Sequence, residues 1–231
     1  MAIVTEVATV SLVQNDPLIP YHCEPGNCIL RLNKLMRTIL LILFLFSSFR
    51  ILCQDGLAER LARLPGVELE VLEPSAPFSL KALLWVTQLT DPADSSAGTF
   101  RQRVVLSVRQ ASSPVVFITE GYDAQYALDR QYIHELTDWM NASQVVVEHR
   151  YYPPSVPPGK ALPWEHLTVL NAAADHHRVV QLLQPILGGP WLSTGISKGG
   201  QAALFHRTYF PQDVVGTVAY VSPLNFAVAD E

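Results

Sequence analysis

The residues most able to do chemistry are those in the run Gly195-Ile196-Ser197-Lys198-Gly199-Gly200. A serine hydroxyl becomes an acyl-transfer nucleophile only when it is held clear of its backbone and beside stabilising donors. The spacing G-x-S-x-G provides for that on a sharp turn between a strand and a helix. Side chains two residues to either side would collide there, so Gly195 and Gly199 are expected to permit close approach. An apolar segment, Pro190 to Thr194 (PWLST), runs straight into the motif, and a helical pattern, GGQAALFHRTYF, follows it. Ser197 is therefore read as a nucleophile at a helix N-terminus, where the helix dipole favours developing negative charge. The amide of Lys198 is the first expected oxyanion donor, while its side chain is read as a solvated charge. A glycine-rich strand–helix turn without chemistry is the bland alternative, and the agreement of strand, spacing and helix argues against it.

A second oxyanion donor is expected from the loop Thr119-Glu120-Gly121-Tyr122-Asp123, through the amide of Gly121 or of Tyr122. His149 lies in Glu148-His149-Arg150-Tyr151-Tyr152, after an apolar strand. In a fold of this kind the base follows the nucleophile in the chain, so His149 and Arg150 are read as bracing the loop beneath the site. His176 and His177 read as surface or packing residues of a long helix. His206 falls about two turns into the helix that begins at the serine, and is expected to point away from it.

These residues must be positioned by a scaffold, and hydrophobic periodicity predicts one. Residues 57–64 read as a short helix, and residues 67–72, 78–90 and 99–108 as strands that open the domain in antiparallel fashion. Asp91 to Gly98 (DPADSSAG) has a loop composition. Thereafter apolar strands at 114–119, 144–148, 190–194 and 216–221 alternate with helices at 129–141, 164–187 and 199–209. That alternation implies βαβ units and a parallel sheet.

Bulk properties agree with an enzyme carrying an export signal. The chain is 49% hydrophobic and 16% charged with a net charge of −5, and it has no basic patch of the kind a nucleic-acid partner requires. Met36-Arg37-Thr38, the apolar run Ile39 to Phe46 and the exit through Ser47 to Cys53 have the three parts of a secretory signal. The apolar core is shorter than the ~20 residues a bilayer span needs. The expected organisation is thus an extension at 1–35 upstream of the true start at Met36, a signal peptide at 36–53, and a catalytic domain at 54–231. Contact with a membrane is expected only through the signal. Cys53 suits lipidation poorly, because Leu52 is bulky where a small residue is expected. Cys23, Cys28 and Cys53 are the only cysteines, all at or before the end of the apolar stretch. His22, Cys23 and Cys28 lack a fourth ligand, so no metal site is expected, and no cofactor is called for.

From Gly98 onward the segments GTFRQRVVLSV, PVVFITEGY, QVVVEHRYY, LTVLNAAADHHRVV, STGISKGGQAALFHR and GTVAYVSP resemble, in order, bacterial secreted serine peptidases of the tripeptidyl-aminopeptidase type. The EHRYY segment and the helix after it are also similar to the lysosomal prolylcarboxypeptidase and dipeptidyl-peptidase group. The resemblance implies the N-terminal half of an α/β-hydrolase, with Ser197 as the acyl-forming nucleophile and peptides as substrates. It further implies a helical cap, a triad acid and a histidine beyond the strand that ends near Ser222-Pro223. Asp230 falls where the cap should begin and matches the acid poorly. On this reading the cap and C-terminal strands are missing and the triad is incomplete. A serine exopeptidase releasing short peptides from N-termini is the expected function; a serine esterase or lipase, or an inactive gene fragment, are the alternatives.

Overall fold

The computed structural model describes residues 56–224, apart from 160. The expectations for residues 1–53 and for Asp230 lie outside the described residues. Seven strands form one mixed sheet in the order β1-β2-β3-β5-β4-β6-β7. Helix α1 (Gly56–Ala62) leads into β1 (Val67–Leu72), β2 (Leu80–Asp91) and β3 (Asp94–Val108), which pair antiparallel. β4 (Val115–Thr119), β5 (Ser143–Val147), β6 (Trp191–Ile196) and β7 (Gly216–Tyr220) then pair parallel, with β5 lying antiparallel against β3. Helix α2 (Glu135–Trp139) connects β4 to β5, α3 (Val169–Leu187) connects β5 to β6, and α4 (Lys198–Tyr209) follows β6.

Alternation along the central strands divides the core between the two faces of the sheet. On one face Leu84, Leu106, Phe117, Val145 and Trp191 pack against Leu61 of α1 and Val179, Val180, Leu183 and Leu187 of α3. The buried residues of α3 recur at intervals of three and four, which is why this segment forms a helix with one apolar stripe. Ala203 and Gly199 give α4 a narrow inner surface that sits close to the same face. On the other face Leu83, Val105, Val116, Ile118 and Val146 pack under Ala124, Ala127 and Leu136.

Three elements differ from the sequence reading. The polar stretch 91–98 is mostly strand: β2 and β3 form a hairpin in which Asp91 pairs with Asp94. Only Pro92 and Ala93 turn, and the Asp91 carboxylate accepts the Ala93 amide at 2.9 Å. Its polar composition reflects exposure on a projecting hairpin rather than lack of structure. The helix expected at 129–141 shrinks to Glu135–Trp139, preceded by a 3-10 turn at Gln125–Leu128. Gln144 accepts the His134 amide at 3.0 Å and donates to the Tyr132 carbonyl at 3.2 Å, so β5 claims the backbone that a longer helix would have used. The helix expected from 164 begins at Val169, because Thr168 is extended and its hydroxyl caps the Asn171 amide.

The strand order places β4 at the point where the chain changes direction: it runs first to β5 on one side and then crosses to β6 on the other. In open α/β sheets the crevice for a ligand lies outside the carboxyl ends of the strands at such a switch point. The segments leaving β4 and β6 are Glu120–Asp123 and Ser197.

Candidate active site

Ser197 is the single residue between β6 and α4. It is exposed, and its backbone has φ 54° and ψ −122°, a left-handed conformation that costs a non-glycine residue about 1–3 kcal/mol. The surroundings over-determine that conformation. The Ser197 amide donates to the Tyr220 carbonyl of β7 at 2.9 Å, and its carbonyl accepts the Gln201 amide at 3.0 Å.

The glycines around it serve proximity rather than unusual backbone angles, since none of them has a positive φ. A Cβ on Gly195 would lie 2.4 Å from the Gly199 carbonyl and 2.6 Å from the Thr119 carbonyl oxygen. One on Gly199 would lie 2.5 Å from the same Thr119 oxygen, and one on Gly121 would lie 2.6 Å from Lys198 Cβ and 2.8 Å from the Gly199 amide nitrogen. The loop after β4 is therefore pressed against the first turn of α4. Thr119 fastens the two, donating its hydroxyl to the Gly199 carbonyl at 2.8 Å. Gly195 and Gly199 were legible as close-approach residues, and Gly121 as a candidate amide donor. The roles of Thr119 and of Gly200, whose Cβ would meet the Gly195 oxygen at 3.0 Å, were not. They emerge only when β4, β6 and β7 are side by side.

Around Ser197 the amides of Gly121, Tyr122 and Lys198 have no backbone acceptor among the described residues. The Tyr122 carbonyl accepts the His149 amide at 3.0 Å, which fixes the orientation of the loop. The Lys198 ammonium lies 5.2 Å from the Tyr122 ring centroid and 5.4 Å from that of Tyr152, a cation over two aromatic faces, and burial lowers its pKa. A pocket of about 80 Å³ opens beside it, lined by His149, Val169, Ala172, Gln201 and Phe205 among others.

His149 is buried, and burial, reinforced by the Lys198 charge, pushes its pKa down to about 4. Its Nδ1 lies 2.8 Å from the Arg150 carbonyl, which can only accept, so Nδ1 carries a proton in this contact. Arg150 is wholly buried. It donates to both oxygens of Asp175 at 2.7 Å, and to the carbonyls of Leu89, Thr90 and His166. Glu148, also wholly buried, accepts the Ala124 amide at 2.9 Å, Arg103 Nη1 at 3.0 Å and the Ser155 hydroxyl at 2.6 Å. Three consecutive residues at the end of β5 thus tie together the loops on which the site stands.

The other described histidines are engaged elsewhere. His134 caps α2 through Nδ1, and His166 lies 3.5 Å from Asp91. His177 and His206 both contact Asp213 Oδ2 at 2.8 Å, and His176 is buried against Phe117 and His206. Asp213 was not singled out from sequence, because nothing local to it signals that two histidines from different helices converge there. Among the described residues no group of three or more His, Cys, Asp or Glu side chains could hold a metal ion, and no helix is long and apolar enough to cross a membrane.

The arrangement offers an exposed, conformationally constrained hydroxyl, amides at a helix start and an adjacent loop, and a small mixed pocket. The chain also has relatives among known proteins. The family model described as PS-10 peptidase S37 matches residues 54–231. A prolyl tri/tetrapeptidyl aminopeptidase of Streptomyces mobaraensis is 35% identical over 170 residues, covering 74% of this chain and 34% of the relative. A human lysosomal Pro-X carboxypeptidase is 27% identical over 172 residues, covering 65% of this chain and 35% of the relative. The chain thus spans about a third of the length of these relatives. Among solved structures, acetyl xylan esterase 1 of Thermoanaerobacterium sp. aligns over 73% of this chain and 58% of its own, with a TM-score of 0.46 and 12% identity.

Proposed function

Because the chain belongs to the PS-10 peptidase S37 family, we propose that it carries the nucleophile of an exported serine peptidase that releases short peptides from the amino ends of its substrates. The observation that carries this reading is Ser197 itself, exposed at φ 54° between β6 and α4 with Gly121, Gly195 and Gly199 packed around it. Ser197 Oγ attacks the scissile carbonyl carbon and gives its proton to a base. The carbonyl oxygen takes the negative charge and is stabilised by the Lys198 amide and that of Gly121 or Tyr122. The C–N bond then breaks as the leaving amine takes up the proton, and water later hydrolyses the acyl ester. None of the described histidines is bonded to Ser197, so the base is assigned to none of them. The name of the Streptomyces relative supports tri- or tetrapeptides ending in proline as the acyl group. Export is supported by the sequence pattern of residues 36–53.

The test is covalent labelling. A fluorophosphonate should modify Ser197 and no other residue, as read by peptide mass mapping, and Ser197→Ala should abolish the adduct. Joined to the acid and histidine that the resemblance places beyond Ser222-Pro223, the chain should cleave a peptidyl p-nitroanilide such as Ala-Ala-Pro-p-nitroanilide in preference to a p-nitrophenyl ester of similar size. Labelling that persists in Ser197→Ala would refute the nucleophile, and exclusive ester cleavage would refute the peptidase.

A further inference from the structure

The charges beside Ser197 are arranged asymmetrically. Glu120 leaves β4 on the face of the sheet opposite α3 and α4. Alternation requires this, since Thr119, one residue earlier, turns its hydroxyl toward α4, while Ile118 belongs to the other core. The parallel register runs Val115 with Trp191 through Ile118 with Thr194. One residue beyond Glu120, a Cβ on Gly121 would lie 2.6 Å from Lys198 Cβ and 2.8 Å from the Gly199 amide nitrogen, so the loop that Glu120 opens abuts the residues just after Ser197. Glu120 therefore stands at the start of the loop that borders the nucleophile, at the end of the strand next to its own. Lys198 lines the pocket formed with Val169 and Ala172 of α3 and Gln201 and Phe205 of α4, and lies over Tyr122 and Tyr152.

Glu120 is a half-buried carboxylate with no Lys, Arg or His within ion-pairing distance among the described residues. Among the described residues its one hydrogen-bond donor is the Tyr126 hydroxyl. Tyr126 in turn packs edge-on against Tyr132, with ring centroids 4.8 Å apart. At the end of β6 Ile196 is 62% exposed. A carboxylate half-withdrawn from water without a cation is costly, and an incoming cation would relieve that cost.

Resting on the peptidase reading above, we propose that Glu120 binds the α-ammonium group of the peptide substrate, with Tyr126 holding the carboxylate in place. A peptide of two or three residues spans about 7–10 Å when extended, so a short acyl group held at Ser197 carries its ammonium clear of the nucleophile and toward the loops that border it. Lys198 reinforces the polarity, because it repels an ammonium from the pocket it lines and admits the remainder of the chain there. Specificity for a free amino end then follows from one fixed charge rather than from the shape of the pocket.

The experiment measures binding. The tripeptide Ala-Ala-Pro and its N-acetyl form are titrated calorimetrically into the full chain at pH 7, where the α-amine is mostly protonated. The free amine should bind about tenfold more tightly than the acetylated form. Glu120→Gln should remove that preference by weakening only the free-amine peptide, and Glu120→Asp should restore part of it. A circular-dichroism melt confirms that each variant is folded. Glu120 also has a carboxyl pushed up to about 6 by burial, with Tyr126 lowering it and Asp123 raising it. The preference should therefore be present above pH 6 and fade below it. Tyr132, His134 and Glu135 are the other titratable groups on this face, around Tyr220. Tyr126→Phe should move the fading to higher pH. A wild-type protein that binds both peptides equally or binds neither, or a Glu120→Gln variant that keeps the preference, overturns the proposal. Fluorophosphonate labelling of Ser197 that survives such a result leaves the nucleophile assignment standing.

Discussion

Substituting the glycines around Ser197 by alanine, one at a time, should give a graded series whose order is set by distance alone. None of Gly195, Gly199, Gly121 and Gly200 has a positive φ, so a methyl group brings no backbone strain of its own. What it brings is overlap. On Gly195 the new carbon would sit 2.4 Å from both the carbonyl carbon and oxygen of Gly199, and 2.6 Å from the Thr119 oxygen. These are backbone atoms, fixed by the β6 strand and the first turn of α4, and they lie roughly 1 Å inside ordinary van der Waals contact. Relief requires the strand and helix to part by a similar amount. Overpacking of this kind costs about 1–3 kcal/mol, and a shift of 1 Å in a reacting group lowers rate about 10²-fold. Gly195→Ala should therefore melt several degrees below the wild type and label with fluorophosphonate about a hundredfold more slowly. Gly199→Ala meets one such atom, at 2.5 Å, and should follow. Gly121→Ala presses first on the Lys198 side chain at 2.6 Å, then on its backbone, and should chiefly displace the loop amides. Gly200→Ala meets nothing closer than 3.0 Å and should be mildest. The assay is a thermal melt paired with the labelling rate of each variant. A Gly195→Ala protein with wild-type melting and labelling, or a series in which Gly200→Ala is worst, would refute the packing argument.

Two further predictions concern the polar floor. Arg150→Met leaves Asp175 buried without its guanidinium, which should cost about 3–5 kcal/mol and lower Tm by roughly 10 °C; Arg150→Met combined with Asp175→Leu should recover much of the loss, and a melt of the single and double variants checks both. His149, with its pKa pushed from 6.5 to about 4, binds a proton in the unfolded chain before it does in the folded one. Its contribution is therefore fully present above pH 6.5 and is lost as pH falls toward 4. Relative to His149→Gln, the wild type should lose about 3 kcal/mol across that window in denaturant titrations at fixed pH, and an unchanged difference between the two proteins would contradict the burial argument.

The strands were legible because each has a local signature. VELEVL alternates, and PVVFIT and QVVVE are continuous apolar runs, as strands covered on both faces must be. The turn at Ser197 was legible for the same reason, since strand, glycine spacing and helix lie within one short segment. What escaped the sequence depends on partners far along the chain. Gln144 competes for the backbone of Tyr132 and His134, and no pattern within 129–141 announces that competitor. The hairpin at 91–98 was misread because exposed strand and loop share a composition, and only pairing distinguishes them. Glu120 and Tyr126 meet through a turn whose path is not periodic, and Asp213 joins histidines from two helices.

Glu148 and Arg150 bear on when the order in the site is acquired. The loop at Ala124, the loop at Ser155, the end of β2 and the helix α3 are all hydrogen-bonded to these two side chains. Fixing a loop removes roughly 1–2 kcal/mol of conformational entropy per residue. Here that loss is incurred once, during folding, when the buried charges find their partners. It does not recur each time a substrate arrives. The walls of the crevice consequently stand in place before anything occupies them, and little of a substrate's interaction energy is diverted into ordering the protein.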